Sequence, residues 1–155
     1  MISFLLDMRG RTQHGFRPYI EMIGGEFDGH PWSELVTVRN EQTSNAVAAP
    51  FEARFEITDE IYQFKTFSRE DKQVLLSLDK SNDSRAKKKT KEGVEQTFFE
   101  RGKRSDGDYA VSWIKPFGEG RVFYTSLGHR DEVWNQAEYQ QHLLKGIQWA
   151  LKMER

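Results

Sequence analysis

The residue in this sequence best placed for chemistry is His129, in the stretch GRVFYTSLGHRDEVW (120–134). A β-branched and aromatic run typical of a strand ends at Gly128, and His129 follows it. Because ligands of α/β sheets bind beyond the carboxyl ends of strands, His129 is predicted to be a catalytic acid or base. The alternative is that the residues after the strand merely cap a loop.

His30 is the second candidate, in the segment FDGHPW (27–32). The glycine before it and the proline after it predict a tight, rigid loop. An imidazole on such a loop is suited to acid–base catalysis or metal ligation, and the competing interpretation is a histidine hydrogen-bonded to the backbone. Two histidines about a hundred residues apart have no metal-ligand spacing, so we predict no cofactor and no metal. A divalent ion completed by Asp59, Glu60 or Asp7 stays open as an alternative.

An acidic and aromatic stretch, ITDEIYQF (57–64), supplies the third candidate. Neighbouring strand residues point to opposite faces, so only one of Asp59 and Glu60 can face a given cleft. Glu60 shares its face with Tyr62, and we therefore predict that Glu60 is catalytic and that Tyr62 binds substrate. The alternative is that Tyr62 belongs to the core and both acids are solvated.

Two tryptophans lie close to these candidates. Trp134 follows the HRDE segment and is predicted to contact a ligand. Trp113 lies within an apolar strand and is predicted to be a core residue, because large aromatic side chains are more often buried than functional.

The elements that must position these residues form a mixed α/β pattern. Periodicity predicts helices at 16–25, ended by Gly24 and Gly25, and from Asn135 to the end of the chain. It predicts a polar loop at 80–107, and strands at 2–6, 34–40, 51–64, 73–79, 108–118 and 120–128. The last two strands are expected to pair across a glycine-containing turn. All 155 residues are expected to form a single domain.

Composition excludes several classes of function. With 23 basic and 24 acidic residues the net charge is -1, so neither nucleic acid nor a membrane is expected as a partner, and RAKKKTK (85–91) is predicted to be a solvated loop. The absence of cysteine excludes disulfides and a cysteine nucleophile. The first residues are too short for a signal peptide and no run is long enough to span a membrane, which predicts a cytoplasmic protein. Walker A, G-x-G-x-x-G, H-E-x-x-H and G-x-S-x-G motifs are absent.

Five segments in order give the chain a resemblance to a known family. They are PYIEMIGGEFDGHPW, ITDEIYQF, VLLSLD, VSWIKPFGEGRVFYTSLGHRDEVW and HLLKGIQWAL. Together they resemble the ThuA-like (trehalose-utilisation) family, from about Tyr19 to Leu151. The resemblance implies a flavodoxin-like three-layer α/β sandwich with a mainly parallel sheet and a C-terminal helix. It also places the fold near the class I glutamine amidotransferases, without their cysteine.

The amino-terminal part departs from the family pattern. Relative to that pattern the first βα units are missing, and Asp7 stands where the family carries a cleft histidine. Asp7 is therefore predicted to be a substrate-binding residue, at a position where the family's site residue is changed. A parallel sheet without its first strands would expose an edge and apolar faces, so we expect a homo-oligomer.

The resemblance implies a role in carbohydrate metabolism. We expect a domain that binds a small sugar or keto-sugar and, if catalytic, acts as an isomerase or hydrolase, since both reactions need a positioned proton donor or acceptor. His30, Glu60 and His129 would be the catalytic residues, and Asp7, Tyr62 and Trp134 would bind the substrate. The alternative is a non-catalytic module for sugar binding or self-assembly. This expectation rests on fold and family, not on a motif that carries the chemistry itself.

Overall fold

A five-stranded sheet is the centre of residues 17–153, the part of the chain that the computed structural model describes. In chain order, the strands of that part are β1 (Glu26–Phe27), β2 (Trp32–Asn40), β3 (Arg54–Ile61), β4 (Phe64–Lys65), β5 (Gln73–Leu78), β6 (Lys88–Lys89), β7 (Glu95–Gln96), β8 (Ala110–Phe117) and β9 (Gly120–Thr125). The main sheet has the spatial order β3-β2-β5-β8-β9, and β1 with β4 and β6 with β7 form two short separate ladders. The helices are α1 (Arg17–Ile23), α2 (Asp131–Trp134) and α3 (Ala137–Ala150).

The main sheet is antiparallel at each of its four strand pairings, so the predicted mainly parallel, flavodoxin-like sandwich is wrong. The connections explain the difference. A parallel pair needs a crossover of a dozen or more residues, usually a helix. Here β8 and β9 are joined by a two-residue turn, and the long segment between β5 and β8 contains only short 3-10 helices, at Lys80–Ser84 and Phe99–Arg101, and the β6-β7 ladder.

Most individual elements were predicted correctly. The helix predicted at 16–25 is α1, and Gly24 ends it in a left-handed conformation with φ 88°. The predicted strand at 51–64 is shorter, since β3 covers only Arg54–Ile61. The predicted β8-β9 hairpin and the C-terminal helix are confirmed. The strand predicted at 2–6 lies outside the described residues.

Helices cover both faces of the sheet because neighbouring strand residues point to opposite sides. Phe123 packs into the larger core together with Leu143 of α3, while the next residue, Tyr124, packs into a smaller core with Ile23 of α1. Trp113 is fully buried in the smaller core, as predicted, and its indole Nε1 donates to the Ile23 carbonyl at 2.7 Å. Among the helices of residues 17–153, none is long and apolar enough to cross a membrane.

His142 of α3 is a buried polar group that ties the helix to the sheet. Its Nδ1 lies 2.7 Å from the Val47 carbonyl oxygen, and its Nε2 lies 3.0 Å from the Ser112 hydroxyl. A carbonyl can only accept, so Nδ1 carries the proton. The unprotonated Nε2 faces the Ser112 hydroxyl, which also donates to the Tyr124 carbonyl at 2.8 Å. Burial lowers the pKa of His142 from 6.5 to about 4, because the charged imidazolium is disfavoured there.

This depressed pKa predicts acid sensitivity. Above pH 6.5 the imidazole is neutral in both states and contributes no pH dependence. Between pH 6.5 and 4, His142 binds a proton in the unfolded chain but not in the folded protein. The free energy of unfolding should therefore fall by about 3 kcal/mol over this range. Urea unfolding between pH 7 and 4 measures this slope. His142→Gln should flatten this slope, and an unchanged slope in that variant would assign the sensitivity to other groups.

Candidate functional site

Four of the predicted site residues lie in one cluster, with the Glu60 carboxylate at its centre. Glu60 Oε2 lies 3.5 Å from His30 Nδ1, and Glu60 Oε1 lies 3.6 Å from His129 Nδ1. The Tyr62 hydroxyl lies 3.3 Å from the same His129 Nδ1. The two carboxylate contacts are at ion-pair distances, longer than a typical hydrogen bond. One carboxylate thus faces two imidazoles.

The cluster is open to solvent on its imidazole side. The side chains of His30 and His129 are 52% and 51% exposed, whereas that of Glu60 is only 17% exposed. Both histidines turn Nδ1 toward the carboxylate, which leaves the opposite ring nitrogen, Nε2, for another group. Within residues 17–153 neither Nε2 atom has a hydrogen-bond partner. A partly buried carboxylate therefore supports two accessible proton donors or acceptors.

Aromatic rings form one wall of the cluster. Phe27 meets the Tyr62 ring edge-on with centroids 5.0 Å apart, and it lies nearly parallel to the His30 ring at 6.2 Å. Burial and the neighbouring Glu60 carboxylate raise the pKa of Tyr62 to about 12. The phenol is therefore protonated at neutral pH and can donate to a carboxylate, an imidazole nitrogen or a ligand oxygen.

His129 is positioned by the buried carboxylate of Asp59. Asp59 Oδ2 accepts from the Gly128 amide at 2.7 Å, and Asp59 Oδ1 accepts from the Arg130 amide at 3.0 Å. The backbone on both sides of His129 is thereby fixed to β3, next to Glu60. Asp59 is fully buried, and Oδ1 also accepts from the Glu60 amide at 2.9 Å.

The segment around His129 also depends on a glycine and two aromatic side chains. Gly128 has φ 102°, and a Cβ there would lie 2.2 Å from the Tyr139 hydroxyl oxygen, so both the conformation and the space require glycine. That hydroxyl donates to the Leu127 carbonyl at 2.8 Å. Trp134 Nε1 donates to the Gly128 carbonyl at 2.9 Å. The indole of Trp134 thus supports the loop from the core side.

His30 is positioned by Gln63, which follows Tyr62 directly. The Gln63 amide donates to the Gly29 carbonyl at 2.9 Å, and its carbonyl accepts from the Asp28 amide at 2.9 Å. The Gln63 side chain also donates to the Asp28 carbonyl at 2.9 Å, and its own oxygen accepts from the Lys103 amide at 2.8 Å. The loop that carries His30 is therefore attached to the segment that carries Tyr62.

The structure brings together His30, Glu60, Tyr62 and His129, four of the six residues that the sequence nominated. Trp134 contacts the His129 segment through Gly128 and stacks edge-on with Tyr139, 5.4 Å between centroids. Asp7 lies outside the described residues.

Sequence reasoning missed Phe27, Gln63 and the structural role of Asp59. Phe27 lies only three residues before His30, and this proximity was the available signal. The partners of Asp59 and Gln63 lie in distant segments, which no local pattern reveals. Within the described part of the chain, no group of three or more histidine and acidic side chains is arranged to hold a metal ion.

These features define a layered α/β domain with a curled antiparallel sheet and an acid–base cluster at one edge of it. The family model described as "ThuA: Trehalose utilisation" matches residues 8–150, and the chain belongs to this family. Membership associates the chain with carbohydrate utilisation.

No curated protein matches the chain, whereas a solved structure does. The structure is that of a putative ThuA-like protein from Bacteroides uniformis, with a TM-score of 0.66 and 21% sequence identity. The match covers 93% of this chain and 55% of that one, so this chain spans little more than half of the other protein's length. At this identity the likeness concerns the fold alone.

The variant Asp59→Asn should test whether Asp59 positions the backbone around His129, and Glu60→Gln is the comparison. An amide retains one acceptor oxygen, so at least one buried backbone N–H loses its partner, and the free energy of unfolding should fall by about 1–3 kcal/mol. Glu60→Gln should cost less, because the Glu60 carboxylate accepts from no backbone amide among the described residues. Chemical denaturation of both variants measures the difference. Equal stability of Asp59→Asn and the wild type would contradict the positioning role.

Proposed function

We propose that the chain binds a small sugar or keto-sugar at the His30–Glu60–His129 cluster and transfers protons on it as an isomerase. The observation that carries the proposal is the single carboxylate between two imidazoles whose Nε2 atoms are free for a ligand. Membership in a carbohydrate-utilisation family supports the substrate class.

Isomerisation of a keto-sugar needs one base and one acid, and the cluster contains both. One imidazole removes the proton from the carbon next to the carbonyl, and the other group protonates the carbonyl oxygen, which gives an enediol. Return of the proton to the neighbouring carbon, with loss of the hydroxyl proton, completes the isomerisation without an external oxidant. Glu60 would stabilise whichever imidazole becomes positively charged. Tyr62 and Phe27 would pack against the apolar face of the sugar ring.

Hydrolysis of a glycosidic bond is supported less well by this site. Most glycosidases use two carboxylates that flank the scissile bond. Here Glu60 contacts both imidazoles. The neighbouring carboxylate, Asp59, is buried, and its oxygens already accept hydrogen bonds from backbone amides, so it does not serve as the second carboxylate. The arrangement therefore favours proton transfer over glycoside cleavage.

The test is exchange of the carbon-bound proton next to a keto-sugar carbonyl with deuterium from D2O, followed by NMR. We expect wild-type protein to catalyse the exchange, and Glu60→Gln or His129→Gln to slow it about 100-fold or more, the scale of a general acid–base contribution. Glu56→Gln is the matched control, because Glu56 lies on the same strand, is paired with Arg85 and does not contact the cluster. It should behave as the wild type.

The outcomes distinguish the two function classes. Saturable sugar binding by isothermal titration without any exchange would replace the enzyme with a non-catalytic sugar-binding module. Absence of binding together with a stable oligomer in light scattering would favour a self-assembly module. Exchange that is equally fast in Glu60→Gln and in the wild type would reject the catalytic role of the cluster.

A further inference from the structure

A second cluster of charged residues lies on the α1 side of the sheet and shares no residue with the acid–base cluster. Lys72 and Lys115 line a cavity of about 590 Å³ together with Asp71, Ser68 and the backbone of Gly24. The lysine side chains are only 4% and 7% exposed, whereas Asp71 is 53% exposed at the cavity mouth. Two nearly buried ammonium groups beside an open cavity need an explanation.

The two ammonium groups share one carboxylate. Lys72 Nζ lies 2.5 Å from Asp71 Oδ1, and Lys115 Nζ lies 2.6 Å from Asp71 Oδ2. Burial alone would raise the pKa of Asp71, but the hydrogen bonds from Lys115 and Lys72 outweigh this effect and lower it to about 2. Asp71 therefore stays ionised, and its single negative charge is shared by two positive ones.

Each ammonium group has one N–H left over. Lys72 Nζ donates to Asp71 and to the Ser68 carbonyl at 2.9 Å, and Lys115 Nζ donates to Asp71 and to the Glu21 carbonyl at 3.0 Å. A lysine ammonium has three donors. Among residues 17–153 no further oxygen or nitrogen acceptor contacts either group, whose other neighbours are the rings of Phe67, 5.3 Å from Lys72 Nζ, and Phe117, 5.8 Å from Lys115 Nζ. The pair therefore presents two unused N–H groups and an excess positive charge.

The surrounding charged residues leave this excess positive charge in place. Arg17 also lines the cavity, and the carboxylate of Glu26 is paired with Lys65 at 2.9 Å. Glu21 is the other acidic residue in the lining. Arg17 in the lining and Lys65, which pairs with Glu26 from outside it, offset Glu21 and Glu26, so the excess positive charge of Lys72, Lys115 and Asp71 remains one.

The backbone is shaped to bring Lys72 to this position. Gly24 has φ 88°, and a Cβ there would lie 2.2 Å from Lys72 Cε, so the lysine passes directly over the glycine. Thr66, which lines the same cavity, has φ 59°, a left-handed conformation that is uncommon outside glycine and costs energy. A simple surface ion pair would need neither feature.

We propose that this cavity binds a phosphate group through the unused N–H groups of Lys72 and Lys115. The carboxylate of Asp71 already shows that two oxygens of one anion can span the two ammonium groups. A phosphate offers such a pair of oxygens and further acceptors for the hydroxyls of Thr66 and Ser68 and for Arg17. The phosphate can be inorganic or part of a sugar phosphomonoester.

The decisive variants have opposite expected effects. Lys115→Met removes one ammonium group at similar length and should weaken phosphate binding at least tenfold. Asp71→Asn removes the competing carboxylate and should tighten it about tenfold, although both variants break the same ion pair. Lys88→Met is the charge-matched control, since Lys88 is exposed and paired with Glu34 away from the cavity. It should change the affinity less than twofold.

Isothermal titration with inorganic phosphate and with glucose 6-phosphate, at constant ionic strength set with chloride, measures these affinities. Tighter binding of glucose 6-phosphate than of phosphate would identify a phosphomonoester ligand, and equal binding would identify the free ion. Absence of phosphate binding in both the wild type and Asp71→Asn, or a shift in the same direction in Asp71→Asn and Lys115→Met, would overturn the proposal. Lys115 would then act only as a cap on the carbonyl end of α1, and Lys72 only as a link between Asp71 and the Ser68 carbonyl. Because deuterium exchange on a keto-sugar reports on the other cluster, the two proposals can fail independently.

Discussion

The arrangement of the acid–base cluster depends on the buried carboxylate of Asp59. Burying a carboxylate costs free energy unless its oxygens accept hydrogen bonds. Here they accept hydrogen bonds from the backbone amides of Glu60, Gly128 and Arg130. Two of these amides flank His129, so the requirement to satisfy Asp59 also determines where His129 lies. The next residue along the strand, Glu60, points the other way and remains available at the surface. Two adjacent acids therefore have different roles: one positions the backbone, and the other faces the imidazoles.

The same contact requires a curled sheet. β3 and β9 are the first and last strands of the five, and in a flat sheet they would be about 19 Å apart. Hydrogen bonds between Asp59 and residues 128 and 130 are possible only because the sheet curls and the segment after β9 returns across it. Tyr139 and Trp134 stabilise this segment from the core side by donating hydrogen bonds to the carbonyls of Leu127 and Gly128, respectively. The core packing of α2 and α3 is thus connected directly to the geometry of the site.

Local patterns in the sequence were sufficient for most of the elements and nominated four residues that the structure places together, but they did not predict the topology. Alternation along 51–64 placed Glu60 and Tyr62 on one side, and the structure does bring both to the two histidines. The expectation that His129 lies at a strand end near Glu60 came from a rule for parallel sheets, whereas the sheet is antiparallel. β3 and β9 nevertheless end at the same edge of the sheet, because the alternating order makes them run in the same direction. Strand direction depends on which distant segments pair, and the roles of Asp59 and Gln63 depend on the same long-range contacts, so neither was visible in local periodicity.

The acid–base cluster and the lysine cavity are separated by the two-residue β1-β4 ladder. Glu26 lines the cavity, and the next residue, Phe27, contacts Tyr62 and His30 on the other side, because neighbouring strand residues point in opposite directions. Opposite them in the ladder, Lys65 pairs with Glu26, and Phe64 packs into the smaller core against Trp113. A substitution in this ladder would therefore disturb both clusters at once. Glu60 on β3 and Asp71 in the turn before β5 lie outside the ladder. Each of these carboxylates can therefore be substituted without altering the β1-β4 ladder that lies between the two clusters.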